Sequence, residues 1–231
     1  MKRHSTGAIL VLFARPAREG QVKTRMAAEL GPARALELYT AFLRDSIEIL
    51  RRVSPWGVRA SIAWSEAIPE EEIAALGENL DGIEILRQEG VDLGQRMSSC
   101  FADLLSRGHD RVVIIGADTP SLPVEIVGRA FELLRDQDLV FGPSTDGGYY
   151  LIGARAIVPE IFRGIPWGTD RVLEETLKLL KILGMSRVLL PPWSDIDTGA
   201  DLASLRASLA ALPASDPSAR HTRAALGPPP V

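Results

Sequence analysis

The sequence has 231 residues, of which 46% are hydrophobic and 24% charged, as in an ordinary globular protein with room for one substantial core. Its net charge of −4 argues against a general nucleic-acid binder, which would show a basic excess. The single cysteine, Cys100, has no partner for an internal disulfide or a structural zinc site, and no apolar run approaches the ~20 residues of a membrane span.

Hydrophobic periodicity predicts strands that alternate with helices along most of the chain. The predicted strands are 8–14, 58–64, 83–86, 111–116, 139–141, 149–152 and 187–190. The predicted helices are about 32–52, 70–76, 95–106, 124–135, 169–183 and 201–212. This alternation favours an α/β fold with a mostly parallel central sheet, covered by helices on both faces as a three-layer α/β/α sandwich.

The two ends of the chain lead to two further expectations. The apolar stretch 8–13 after Lys2 and Arg3 is short for a signal peptide and runs straight into charged residues, so we expect a cytoplasmic protein. We expect a single domain over residues 1–212. The remainder, 213–231, is rich in Pro, Ala and Ser and predicts a disordered tail.

A basic loop follows the first predicted strand. Its basic residues are Arg15, Arg18, Lys23 and Arg25. A basic loop between a strand and a helix is typical of an anion site, which makes Arg15, Lys23 and Arg25 candidate nucleotide-binding residues. The loop has neither the spacing of a Walker A motif nor a G-x-G-x-x-G motif. A solvated surface loop is the alternative interpretation.

Asp118 follows the apolar run 112–115, which is typical of a buried strand. Ligands bind at the carboxyl ends of such strands in open α/β sheets, and a carboxylate there can hold a divalent cation against a phosphate. The competing interpretation is that Asp118 caps the following turn.

The segment Asp146-Gly147-Gly148 predicts a β-hairpin turn. Asp146 is also a candidate to bind a substrate hydroxyl, and the glycines allow a ligand to approach the backbone closely. Both interpretations hold together if the hairpin forms one wall of a pocket. Tyr149 and Tyr150, which follow the turn, are expected to point to opposite faces of a strand.

Asp195 and Asp197 alternate across Ile196, so in extended backbone they share one face. Asp197 is the candidate to complete a metal site with Asp118, and such oxygen ligands favour Mg²⁺ or Mn²⁺ over zinc. Thr198 with Asp201 instead predicts a helix cap. Asp146 and Asp195 are both candidate general bases, and the sequence does not choose between them.

Trp167 and Thr169 precede the predicted helix 169–183. Trp167 is interpreted either as part of the acceptor side of the site or as a core or rim aromatic residue. Thr169 is a candidate helix N-cap.

Five segments together carry a resemblance to a known family. They are Val22-Lys23-Thr24-Arg25, Leu93-Gly94-Gln95-Arg96-Met97, Gly116-Ala117-Asp118-Thr119-Pro120, Gly142-Pro143 with 146–153, and Asp195-Ile196-Asp197-Thr198. Over nearly the whole chain to about Leu212 the sequence resembles the bacterial DUF2064 group. These are glycosyltransferase-A-fold proteins described as nucleotide-diphospho-sugar transferase-like, and some are named as glycosyltransferases of arsenosugar biosynthesis. The group is also similar to 2-phospho-lactate guanylyltransferases and molybdenum-cofactor guanylyltransferases.

The resemblance implies roles for individual residues. Lys23 and Arg25 would contact nucleotide phosphates, with Arg96 as a further phosphate contact. Asp118 would take the place of the metal-binding aspartate and Asp197 that of the second carboxylate. The resemblance also places Gly147 and Gly148 against the sugar or acceptor. The sequence departs from the family pattern at Thr145, where an acid is common, and at Ala17-Arg18.

These observations predict a metal-dependent transferase that uses a nucleotide-activated donor, with Asp118 and Lys23 as catalytic residues. The expected reaction is glycosyl transfer from a nucleotide sugar to a small-molecule acceptor, with neither a nucleic acid nor a membrane as partner. One alternative is a nucleotidyltransferase acting on a nucleoside triphosphate (NTP) donor and a phosphorylated small molecule. The other is a nucleotide-binding protein without catalysis.

Overall fold

The computed structural model describes residues 7–156, 159–213 and 216–227. A seven-stranded sheet has the order β3-β2-β1-β4-β6-β5-β7. The strands are β1 (Gly7–Ala14), β2 (Arg59–Trp64), β3 (Ile83–Arg87), β4 (His109–Gly116), β5 (Leu139–Pro143), β6 (Tyr149–Ala154) and β7 (Arg187–Leu189). The helices are α1 (Thr24–Leu30), α2 (Pro32–Val53), α3 (Glu70–Ala75), α4 (Leu93–Ser106), α5 (Val124–Leu133), α6 (Val172–Ile182), α7 (Gly199–Ala210) and α8 (Arg220–Leu226).

The sheet is mostly parallel, as predicted. Strands β1 to β4 pair in parallel, and β5 pairs in parallel with β7. Only β6 runs antiparallel, between β4 and β5. Its direction follows from the tight turn that joins it to β5, since a short hairpin connection reverses the chain.

Both faces of the sheet are covered, which explains why the central strands are almost continuously apolar. On one face Leu10 of β1 packs in a core with α2 and α5. On the other face Val11 packs in a second core that contains Phe101 of α4 and Leu180 of α6. The three-layer α/β/α architecture expected from the sequence is therefore confirmed.

The prediction of a disordered tail is wrong for residues 216–227, because α8 forms there and packs against α2. The buried carboxylate of Asp45 on α2 accepts hydrogen bonds from the backbone N–H groups of His221 and Thr222 and from the Thr222 hydroxyl. Leu226 packs in a third apolar cluster with Phe42. These are tertiary contacts, which tail composition does not reveal. The folded region thus extends past the predicted boundary at 212, and 214–215 and 228–231 lie outside the described residues.

A second difference concerns the basic loop, which was expected to run through Arg25 but ends two residues earlier, because α1, a helix that was not predicted, begins at Thr24. Within the ranges described, no helix combines the length and apolar character needed to cross a membrane. The cytoplasmic location stays a prediction.

Candidate active site

A cleft with a volume of about 860 Å³ opens at the carboxyl edge of the sheet. Residues that directly follow neighbouring strands line it, among them Arg15 after β1, Ser65 after β2 and Gln88 after β3. Asp118 lines it two residues beyond the end of β4. The cleft therefore lies where open α/β sheets bind ligands.

Three predicted site residues meet in this cleft as a cluster that we call the floor: Lys23, Asp118 and Asp197. The Lys23 Nζ lies 2.5 Å from Asp118 Oδ1 and 2.8 Å from Asp197 Oδ1. The lysine side chain is 2% exposed, whereas those of Asp118 and Asp197 are 48% and 40% exposed. The ammonium group is thus buried between two carboxylates that still face the cleft.

The backbone at Lys23 has φ +47° and ψ +48°, the left-handed conformation that non-glycine residues seldom adopt. Lys23 is the residue before α1, and this conformation accompanies the placement of its side chain between the two carboxylates. Residues held in such conformations concentrate at functional sites.

The charge on Lys23 is set by two opposing effects. Burial alone would lower the pKa of Lys23, but Asp118 and Asp197 outweigh it and raise that pKa above its usual value. The side chain is therefore a cation at neutral pH. A buried cation beside partly exposed carboxylates gives the floor groups of both signs.

Backbone contacts hold the segment that contains Asp197. The Ile196 N–H donates to the Asp118 carbonyl at 3.0 Å. Thr198 and Asp201 form the predicted capping box at the start of α7. The Gly199 N–H donates to the Glu29 carboxylate of α1 at 3.1 Å, so α1 and α7 are tied together beside the floor.

Asp195 lines the same cleft, two residues before Asp197. Burial, followed by the Asp118 carboxylate, raises the pKa of Asp195 to about 7, although the Ser144 hydroxyl donates a hydrogen bond of 2.9 Å to it. Its carboxyl group is therefore less acidic than an ordinary aspartate.

The turn between β5 and β6, which we call the hairpin wall, spans residues 144–148, and it confirms the predicted hairpin. Asp146 Oδ1 accepts a hydrogen bond of 3.0 Å from the Gly148 N–H, and both residues line the cleft. Gly147 does not line it: with φ +91° its Cα packs against the backbone of Asp170, where a Cβ would overlap. The structure therefore uses Gly147 for close backbone packing.

Tyr149 and Tyr150 point to opposite faces of the sheet, as expected. The Tyr149 ring packs with the core that contains α4, and Tyr150 belongs to the core that contains α2. The Trp167 ring meets Tyr149 edge to face at 6.4 Å between centroids and also lines the cleft. Trp167 thus satisfies both of its interpretations, as a packed aromatic residue and as a surface of the site.

Thr169 does not cap α6, because that helix begins at Val172 after Arg171. The Thr169 hydroxyl instead donates to the Pro166 carbonyl and accepts from the Arg171 N–H. It stabilises the turn between Trp167 and the helix, a local structure that the sequence alone does not distinguish from the helix start.

The remaining basic candidates surround the opening. Arg15, Arg25 and Arg96 line the cleft, the first two with exposed side chains. The Tyr39 hydroxyl accepts from the Arg15 N–H and donates to the Arg15 carbonyl, both at 3.0 Å. Arg18 turns away to Glu66 and Glu72.

Sequence reasoning missed Gln88, Ser144 and Tyr39. Gln88 is a polar residue directly after β3, the same signal that singled out Asp118, but β3 is short and its end is hard to place. Ser144 and Tyr39 act through contacts with residues 51 and 24 positions away, for which the sequence gives no signal.

The carboxylates that line the cleft are compatible with a divalent cation that substrate phosphates would also coordinate. Across the described ranges, no group of three or more Asp, Glu, His or Cys side chains forms a metal site. Mg²⁺ is commonly held by only one or two carboxylates together with substrate phosphates. Asp118 and Asp197 supply two carboxylates that reach the cleft.

Solved structures similar to this chain define its class. A candidate nucleotide-diphospho-sugar transferase from Desulfovibrio desulfuricans G20 is 31% identical, with a TM-score of 0.86, over 96% of this chain and 94% of that chain. A cytidylyltransferase from Leptospira borgpetersenii is 14% identical, with a TM-score of 0.53, over 95% of this chain and 92% of that chain. The fold is thus that of the nucleotide-diphospho-sugar transferases, as expected.

The third comparison is glucosyl-3-phosphoglycerate synthase from Mycobacterium tuberculosis, solved with Mn²⁺, UDP and glucosyl-3-phosphoglycerate. It is 14% identical, with a TM-score of 0.52, over 85% of this chain and 75% of that chain. The expected enzyme class, a transferase, is confirmed at the level of these relatives.

The family follows from the sequence match. Residues 50–169 match the family described as "Uncharacterized protein conserved in bacteria (DUF2064)", and the chain belongs to this family, as its motifs predicted. No protein of curated function matches the sequence.

Proposed function

We propose that this protein transfers a glycosyl group from a nucleotide sugar to a small-molecule acceptor, in a reaction that depends on Mg²⁺ or Mn²⁺. The observation that carries the proposal is the floor. Lys23, Asp118 and Asp197 come from three distant segments and meet within 2.8 Å contacts at the carboxyl edge of the sheet.

The floor has the chemistry that a diphosphate leaving group requires. Asp118 and Asp197 would hold the metal ion, which neutralises developing negative charge on the diphosphate when bound. Lys23 supplies a fixed positive charge without any covalent intermediate. Arg15, Arg25 and Arg96 line the same cleft and are proposed to bind the remaining phosphate oxygens.

A second part of the cleft lining favours glycosyl transfer over nucleotidyl transfer. Asp146, Asp170 and Asp195 line the cleft at or beside the hairpin wall. Carboxylates accept hydrogen bonds from sugar hydroxyl groups, but they repel the phosphate of a phosphorylated acceptor. The acceptor proposed for this part of the cleft is therefore a hydroxyl-bearing molecule without a phosphate group.

The reaction products test the proposal. The full chain is incubated with Mn²⁺, a panel of nucleotide sugars or nucleoside triphosphates, and hydroxyl acceptors. We expect release of a nucleoside diphosphate, which stops with EDTA and falls at least ~100-fold in Asp118→Asn. Release of pyrophosphate from a triphosphate would instead establish nucleotidyl transfer.

A binding measurement separates catalysis from binding alone. We expect the affinity for a nucleoside diphosphate to fall when the metal is removed, because the metal and the phosphates share ligands. Affinity unchanged by EDTA and by Asp118→Asn, with no product formed, would identify a non-catalytic nucleotide-binding protein.

A further inference from the structure

One part of the cleft lining contains uncharged polar residues, with Asp92 and Arg96 close along the chain. Ser65 follows β2 and Gln88 follows β3, and both line the cleft. Gln88 is only 9% exposed. A nearly buried carboxamide at a ligand site is held in one orientation, and that orientation decides what it can bind.

The surrounding backbone fixes which end of the Gln88 carboxamide faces the cleft. Its Nε2 donates to the Ala63 carbonyl at 2.7 Å and lies 3.4 Å from the Ala14 carbonyl. Carbonyl oxygens only accept hydrogen bonds, so the nitrogen must face them and Oε1 must face away. The side chain cannot flip without placing one oxygen against another.

The Gln88 Oε1 atom remains available. Among the residues that the structure describes, Nε2 and the backbone N–H make all the hydrogen bonds of Gln88, the latter to the Trp64 carbonyl at 2.8 Å. Oε1 is also not sealed inside the protein. In the part of the chain that the structure describes, the buried polar side-chain atoms without a partner belong to Ser61, Trp64, Tyr149 and Arg223. Oε1 is therefore an oriented hydrogen-bond acceptor that solvent or a ligand can reach.

An apolar surface lies close to Gln88 along the chain. Val91 also lines the cleft and is 85% exposed, so a flat group can pack against it. The Gln88 carboxamide lies beside the ends of β1 and β2, because its Nε2 contacts the Ala14 and Ala63 carbonyls. Strand β1 neighbours β4 in the sheet, so about one to two strand spacings of ~4.8 Å separate the carboxamide from the floor, and one nucleotide can reach both.

We propose that Gln88 determines nucleobase specificity: its Oε1 accepts a hydrogen bond from an N–H group of the donor's base, while the floor binds the diphosphate. This inference rests on the proposed function, because it assumes that a nucleotide occupies the cleft. A buried and preoriented acceptor binds a base with a matching N–H group more tightly than a group that leaves the acceptor without a hydrogen bond.

The test compares nucleoside diphosphates with pyrophosphate, which lacks the base. Binding to the full chain is measured by calorimetry with Mn²⁺ present, for UDP, GDP, CDP, ADP and pyrophosphate. We expect one nucleoside diphosphate to bind more tightly than pyrophosphate. Gln88→Met should weaken the binding of that nucleotide about threefold to tenfold and change the affinity for pyrophosphate less than about twofold. Glu89→Gln, at the exposed neighbouring position outside the cleft lining, is the matched control and should change neither.

A second measurement uses the wild-type protein and does not depend on how well a variant folds. Methylation of the base nitrogen that donates to Gln88 should weaken binding of the preferred nucleotide by a similar factor. Equal weakening of nucleotide and pyrophosphate by Gln88→Met would overturn the inference, as would equal affinity for both in the wild type. Both results leave the proposed function standing, whereas wild-type protein that binds no nucleotide and no pyrophosphate would overturn both.

Discussion

The floor and the hairpin wall line one cleft, but they are built in different ways. The floor joins Lys23, Asp118 and Asp197 by ion pairs between segments 95 and 174 residues apart. The hairpin wall is a local turn, in which Asp146 accepts from the Gly148 N–H two residues away. It also has contacts with distant segments, among them the hydrogen bond from Ser144 to Asp195 and the close approach of Gly147 to the Asp170 backbone.

This difference predicts how each region responds to mutation. The two floor carboxylates are partly exposed although Lys23 is buried, so solvent limits the contribution of their attraction to stability, while all three groups are proposed to bind the ligand. A change in the backbone geometry of the hairpin wall affects the stability of the folded state more than it affects ligand binding. Substitutions in the floor should therefore change activity more than stability, and substitutions in the hairpin wall the reverse.

The largest expected effect is that of Lys23→Met. It removes the positive charge from the floor and leaves two carboxylates facing each other, so kcat/KM should fall ~100-fold or more. The free energy of unfolding should change by less than ~2 kcal/mol, because both carboxylates are partly exposed. Lys178→Met, which removes an exposed lysine on α6, is the control and should change neither. Unaltered nucleotide affinity in Lys23→Met would remove the basis for a phosphate site at the floor.

Gly147→Ala tests the opposite behaviour in the hairpin wall. The new Cβ would overlap the Asp170 backbone at a residue with φ +91°, which should lower the free energy of unfolding by about 2–4 kcal/mol in denaturant titrations. Gly184→Ala has a similar φ of +66°, and its added Cβ would meet no atom within 4 Å from the described residues beyond its chain neighbours, so it should cost only about 1–2 kcal/mol. Equal losses in the two variants would show that the contact with Asp170 is unimportant.

Tyr39→Phe removes the hydroxyl that bonds both the N–H and the carbonyl of Arg15. We expect a loss of about 1–2 kcal/mol of stability and a several-fold loss of nucleotide affinity, because Arg15 begins the basic loop. Tyr150→Phe, whose hydroxyl makes one hydrogen bond to the Pro191 carbonyl, should lose about half as much stability. A greater loss of stability in Tyr150→Phe than in Tyr39→Phe would contradict this prediction.

Ser144→Ala should have the smallest effect. It removes the hydroxyl that donates to Asp195 at a cost of about 1 kcal/mol, seen as a lower midpoint of thermal unfolding. Thr145→Ala removes an exposed hydroxyl with a longer contact of 3.3 Å to Ser194, and its effect should stay within about 0.5 kcal/mol. A larger loss in Thr145→Ala would mean that Asp195 does not depend on Ser144.

Elements with a strong local signal were predictable. The apolar run before Asp118 is buried because both faces of β4 are covered, and that run also located the carboxylate at the end of the strand. The capping pair Thr198 and Asp201 and the hairpin turn formed as predicted, since both depend on contacts within a few residues. Helix α8 was missed because its stability comes from Asp45, which lies 177 positions from Thr222.

The sequence by itself determined the layered α/β fold, the family and the residues with the chemistry for a metal and phosphates, because periodicity, turns and motifs are local properties of the chain. Only the tertiary structure decided that the Lys23 ammonium group lies between Asp118 and Asp197, that Gly147 packs against the Asp170 backbone, and that the Gln88 Nε2 faces the Ala63 carbonyl. These arrangements depend on contacts between distant segments, whose geometry is fixed only when the sheet brings the strand ends together.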